Sequence, residues 1–200
     1  MSIVFKINKV TDDYKGITFG GSEYTQKGWP KNPNGESLEL LCSIDSNMVN
    51  QNLSEDLFPH DTYIYVYSTY NEGYFLDDIT YFGDAEELEY LKQGYTKVVV
   101  TKEAHTIGNE AKSVNVDIDK FEIDDDSFPA FSFLSKHLPK GLSGIEGLLN
   151  DYYFVGQFYS SDIPIKNGGV LGLSDANGYL FLRKEFEEGE DSGLFFVQTA

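Results

Sequence analysis

The residues able to do chemistry in this chain are few, and none is spaced for a known reaction. His60, His105 and His137 stand far apart, none with a histidine four residues away, and Cys42 is the single cysteine. A zinc site built from His and Cys at short spacing is therefore not encoded. Cys42 lies inside the apolar run 38–44, which predicts a buried, inert thiol rather than a nucleophile. No Gly-x-Ser-x-Gly elbow occurs, and Arg183 is the lone arginine, which disfavours the guanidinium forks that grip phosphate and carboxylate substrates. Asp124-Asp125-Asp126 supplies oxygen atoms, but without the alternating ligands, the glycine and the closing Glu of a calcium loop. Carboxylates are so numerous that no acid/base pair can be singled out. The sequence nominates no catalytic residue, no metal ligand and no cofactor.

What it offers instead is charge and aromatic surface. Fifteen Lys and Arg against 33 Asp and Glu leave a net charge of −18. Phosphate-backbone binding needs clustered cations, so nucleic acid is excluded as a partner, and an anionic membrane surface would repel the chain. A basic protein would be steered toward it. The candidate partner-binding acids are Asp84, Glu86, Glu87 and Glu89, then Asp124, Asp125 and Asp126, then Glu185, Glu187 and Glu188; the candidate aromatic anchors are Tyr63, Tyr65 and Tyr67. Each acidic run can equally be solvated surface, and the tyrosine row equally core packing.

Positioning these residues falls mostly to strands. Residues 2–10 alternate loosely, and 38–44, 63–67, 97–101, 114–119, 153–158, 178–182 and 193–198 read as strands from their β-branched, aromatic and alternating character. Alternation puts Tyr63, Tyr65 and Tyr67 on one face and Ile64 and Val66 on the other. The glycine-, aromatic- and proline-rich stretch 12–33 predicts a structured loop anchored by Trp29, and 45–55 a polar loop. Residues 74–82 have mixed character with a leaning to strand. Asp84 caps a short helix over 84–93 that Gly94 stops, with Leu88 and Leu91 toward the core. Residues 121–133 read as a link, and 135–149 as loop with a short helix. The pattern of strand, long polar loop, strand occurs at 36–70 and again at 153–182. One domain over 1–200 is expected, with a first half at about 1–120, a second at about 150–200 and a connection at 121–149. No secretory leader or apolar span of membrane length is present, and the lone cysteine suits a reducing compartment, so the expected location is the cytoplasm.

Several short motifs resemble the YwqG-like family of bacterial proteins: Phe19-Gly20-Gly21, Trp29-Pro30, the strand Leu40 to Asp45, Phe58-Pro59, and Tyr63-Ile64-Tyr65-Val66 in the first half. Ser174-Asp175-Ala176-Asn177-Gly178-Tyr179-Leu180-Phe181 and Leu194 to Gln198 resemble its C-terminal pattern. The resemblance implies an α+β fold, mostly antiparallel sheet with few short helices, in two pseudo-repeated halves. Some members of that family are inferred to be immunity proteins of polymorphic toxin systems. It therefore implies a monomer or weak dimer that neutralises a cognate toxin domain, of basic charge, by stoichiometric binding. The alternative is a small-molecule or enzymatic role in the cleft between the halves, with the Phe19 to Trp29 loop.

Overall fold

A computed structural model of the chain describes residues 1–21, 28–103, 112–185 and 192–199. Its strands are β1 (Ser2–Val10), β2 (Ile17–Gly20), β3 (Glu39–Asp45), β4 (Tyr63–Ser68), β5 (Thr96–Thr101), β6 (Ser113–Ile123), β7 (Phe133–Leu134), β8 (Tyr152–Tyr159), β9 (Asn177–Arg183) and β10 (Gly193–Gln198). They form one ten-stranded sheet in the order β10-β9-β8-β7-β1-β6-β2-β3-β4-β5, antiparallel at every junction. The two ends of that order nearly meet. Thr96 Oγ1 donates to Phe195 O at 2.7 Å, and Ser192 N donates to Val98 O at 3.3 Å. Curling the sheet this far protects edge backbone that would otherwise stay unpaired.

The curl has an interior. Phe5, Ile7, Phe19, Ile44, Ile64, Val66, Val98, Val100, Leu134, Val155, Phe158, Leu180, Leu182, Phe195 and Val197 point into one core. Register shifts between Leu40 and Cys42 in β3 and between Phe154 and Gly156 in β8 bend these strands where the sheet turns. Cys42 is fully buried, and burial pushes its thiol above the ordinary value, which keeps it from ionising.

Two smaller clusters cover the outside. Leu38, Leu40, Tyr65, Tyr67 and Val99 gather on β3 to β5 under Trp29. Phe133, Phe154, Tyr179, Phe181 and Phe196 gather on β7 to β10 beneath Ile145 and Leu148. The strand thus has β4 alternation as read from sequence, with Ile64 and Val66 inward and the tyrosines outward.

Four segments differ from expectation. Residues 46–53 form helix α1 (Ser46–Leu53) rather than a loop: the Asp45 carboxylate caps it by accepting from Met48 N at 3.0 Å, and Ser54 ends it in the left-handed region at φ 54°. Its buried side holds Ser46, Val49 and Asn50, with Leu53 packed at the core margin, so a single apolar pair, Val49 and Leu53, is all that announces it in a polar stretch. Ile17 to Gly20 is a strand, not loop, because Ile17 and Phe19 fill the interior while Gly20 takes φ 69° at the end. Leu76–Ile79 is a helical turn, α2, which buries Ile79. The strand expected over 114–119 continues to Ile123, so the link is shorter than 121–133. Helix α3 (Ala85–Tyr90) forms as read, capped by Asp84, and a wider turn Leu91–Tyr95 closes at Gly94, φ 107°. Among the described residues, no helix is long and apolar enough to cross a membrane.

Candidate functional site

Helix α3 is short and strongly acidic, and its sequence fixes how it sits. Asp84 Oδ1 accepts from Glu86 N at 2.7 Å, and Glu87 Oε2 reaches back to Phe82 N at 2.6 Å. Carboxylates in the first turn also suit the positive end of the helix. Leu88 and Leu91 anchor it to the outer cluster of β7 to β10. Asp84, Glu86 and Glu89 remain exposed, flanked by Phe82 and Tyr90, whose rings are 45% and 46% exposed. Lys92 offers only a loose pair, 3.9 Å from Glu89. Tyr81 beneath shows the combined field: burial, then Glu87, Glu146 and Asp84, hold its hydroxyl above the ordinary value.

The surface does not stop at α3. Helix α2 packs beside it, and Tyr90 stacks on Tyr95 with centroids 5.5 Å apart. Tyr95 in turn feels Asp78 and Glu36. Tyr74, 73% exposed, donates to Asp77 at 2.8 Å. Glu39 pairs with Lys166 at 3.4 Å, and the Lys166 ammonium lies 5.0 Å from the Tyr70 ring centroid. One acid-and-aromatic surface therefore runs from Glu36 across α2 to α3. Glu36, Asp77, Asp78 and Tyr74 were not singled out in the sequence, because Glu36 lies some forty positions before its neighbours and only the fold brings them together.

Repulsion within this surface makes a testable pH dependence. Burial, then Asp77, then Glu36, raise Asp78 above its ordinary 3.8. The ionised form is the disfavoured one, so its destabilising effect sets in as pH rises from 3.8 through the folded value and persists at neutral pH. Asp78→Asn is expected to raise Tm at neutral pH by about 1–3 °C. The gain should disappear in acid, where both side chains are neutral, and thermal melts of the two proteins across that range check it.

The other sequence candidates fare differently. Asp125 accepts from the Met1 ammonium at 2.6 Å and from Ser2 Oγ at 2.5 Å, bonds that hold it below the ordinary carboxylate range. Asp126 pairs with Lys140 at 2.8 Å, and Asp124 Oδ1 accepts from Asp126 N at 3.1 Å. That turn is largely occupied with its own chain. Glu185 is exposed, while Glu187 and Glu188 lie outside the described residues, as does His105. Tyr65 and Tyr67 are corrected by burial: they are 3% and 0% exposed, with the Trp29 ring edge-on to Tyr67 at 5.8 Å. They pack the outer cluster, and in this structure they are not presented to a partner; Tyr63 is half-buried at its margin.

Phe19 is fully buried, and Trp29 donates to Leu38 O at 2.7 Å, so both described ends of the 19–29 loop serve the fold. A groove of about 220 Å³ follows the β5 and β10 edges between Lys92, Thr96, Tyr152 and Leu194. Among the described residues, no group of three or more His, Cys, Asp or Glu is placed to hold a metal ion. The chain matches no protein-family model and no curated protein.

Proposed function

We propose that this protein is an immunity protein that binds and neutralises a basic toxin domain one-to-one, acting in the cytoplasm as a monomer or weak dimer. The observation that carries this reading is the acid-and-aromatic surface of Glu36, α2 and α3, where exposed carboxylates surround Tyr74, Phe82 and Tyr90. Such a surface speeds encounter with a basic partner through its field, and its aromatic rings supply the contacts that slow dissociation. The YwqG-like motifs support the same reading. So does a likeness between β3 to β4 and β8 to β9: each first strand carries a register shift, and each loop then seats an apolar residue, Phe58 or Ile163, before a proline. That likeness is the basis for regarding the fold as two pseudo-repeated halves.

The test is capture of the tagged protein's partner from its own lysate at low and moderate salt, followed by association kinetics. Capture of one protein, toxic when expressed alone and harmless with this chain, is the expected result. Glu86→Lys with Glu89→Lys should slow association by about tenfold at low salt, with a smaller difference at high salt. No captured protein at either salt, or an unchanged association rate, would remove the basis for the proposal.

A further inference from the structure

We infer that the outer face of β8, β9 and β10 carries a binding pocket for an uncharged polyhydroxyl ligand the size of one sugar unit. The antiparallel register lays two rungs across this face, Tyr159-Asn177-Gln198 and Gln157-Tyr179-Phe196. Their neighbours Phe158, Leu180 and Val197 point into the barrel, so these side chains point out. Toward Phe154 and Phe181 the same face is closed by aromatic packing. At the two rungs it turns polar and opens into a cavity of about 350 Å³, walled by Phe128 to Ala130 and by Lys140 and Gly141. That volume is at the lower end of the roughly 300–1,000 Å³ typical of small-molecule sites.

The walls are held in place by the floor. Gln157 Nε2 donates to Pro129 O at 2.7 Å and to Phe131 O at 3.1 Å. Gln198 Nε2 donates to Tyr81 O at 2.7 Å and Ser143 O at 2.8 Å, while its Oε1 accepts from Ser143 N at 3.2 Å. Two buried glutamines thus tie the Phe128 to Ala130 wall, and the Ser143 segment just beyond Gly141, to the sheet before any ligand arrives, which lowers the ordering cost of binding.

What remains for a ligand is neutral. Asn177 Oδ1 is shut off from solvent and has no hydrogen-bond partner, an arrangement that folded proteins rarely leave unexplained. Tyr179 lies beside it, 4% exposed, and burial pushes its hydroxyl up to about 12, so it stays a neutral donor and acceptor. Lys140 is held by Asp126 at 2.8 Å, and its ammonium lies 5.6 Å from the Phe128 ring centroid. Asp175 at the rim is exposed. An anionic ligand would meet that carboxylate, and the cation nearest it is already paired. A sugar ring fits both demands: a turn of the partly exposed Asn177 amide brings its unpartnered oxygen to a ring hydroxyl, Tyr179 donates and accepts beside it, and the C–H face suits Phe128 and Pro129.

The experiment is saturation-transfer NMR on the full chain with D-glucose, D-galactose, D-mannose and N-acetyl-D-glucosamine, set against glucose 6-phosphate and glucuronate. Saturable binding of at least one neutral sugar in preference to the charged pair is expected. Asn177→Leu should weaken it by about tenfold, while Tm stays level or rises because an unpartnered buried polar atom is gone. Tyr179→Phe removes one hydroxyl from the same cavity and should weaken binding with the fold intact, which keeps the question answerable if Asn177→Leu does not fold. Failure of every neutral sugar to bind, equal binding by both variants, or preference for the charged sugars would overturn the inference. Because the residues that line the cavity include none of the exposed acids and aromatics of α2 and α3, toxin capture and sugar binding can fail independently.

Discussion

Gly144→Ala is expected to cost about 3–5 kcal/mol of stability and roughly 10 °C in Tm. Gly144 adopts φ 70°, and a Cβ built there would come within 2.0 Å of Phe82 O, 2.3 Å of Phe82 C and 2.6 Å of Gly83 N. All three are backbone atoms, so no rotamer change relieves the overlap. The two strands of chain would have to separate, and with them the cover that Ile145 and Leu148 place over Phe133, Phe154 and Phe196. Gly141→Ala is the control. It shares a positive φ of 98°, but its Cβ would meet Phe128 Cδ1 at 2.9 Å, and that ring is largely exposed and free to turn. A loss of about 1 kcal/mol is expected there. Equal losses in the two variants, measured by chemical denaturation, would mean that backbone overlap is not what makes Gly144 special. The same contact sets Gly83, and hence Asp84 and α3, beside Glu146. Gly144→Ala should therefore also weaken partner binding, although it alters none of the exposed acids.

Eight of the ten described strands were legible in the sequence, because β-branched runs and alternation report which face of a strand is buried, whereas β2 lay in an expected loop and β7 at the end of the expected link. Tyr63, Tyr65 and Tyr67 were placed on the correct shared face for this reason. What covers that face was not legible. Trp29 comes more than thirty residues before the tyrosines, and nothing local announces that it will lie on Tyr67. The acid-and-aromatic surface was half legible: α3 is continuous in sequence, with its cap, whereas Glu36 and Asp78 meet only through the closure of β3 to β5. The pocket over β8 to β10 could not be read at all, since Gln157, Asn177 and Gln198 acquire meaning from a cross-strand register that the chain does not spell out. Amides in a strand signal nothing by themselves. Helix α1 was missed because its buried side holds an amide where a periodic reading looks for an apolar residue.

That amide is the second place where one substitution should do large damage. Asn50→Ala is expected to lose about 3–4 kcal/mol, since buried polar groups left without partners cost about 1–3 kcal/mol each and the effects overlap. Asn50 Oδ1 accepts from Leu57 N and Phe58 N, both at 3.0 Å, and its Nδ2 donates to Phe58 O at 2.9 Å. One side chain thus satisfies three main-chain groups of a loop that carries no strand or helix bonds of its own. The consequence is specific: Leu57 and Phe58, 2% and 3% exposed, are held in the barrel core, and α1 is tied to the loop that leads into β4. Alanine leaves Phe58 N and Phe58 O without that partner in an apolar setting and Leu57 N with Glu55 O alone, at 3.1 Å, while the loop cannot move outward to water without withdrawing Phe58 from the core. Asn52→Ala, two positions on, removes only a bond from an exposed amide to Lys15 O at 2.9 Å and should cost no more than about 1 kcal/mol. Hydrogen exchange separates the local from the global effect. In Asn50→Ala the amides of Leu57 and Phe58 should lose protection first, ahead of those in β3 and β4, because the loop opens before the sheet does. Uniform loss across all strands would instead show that this loop and the barrel unfold as one unit.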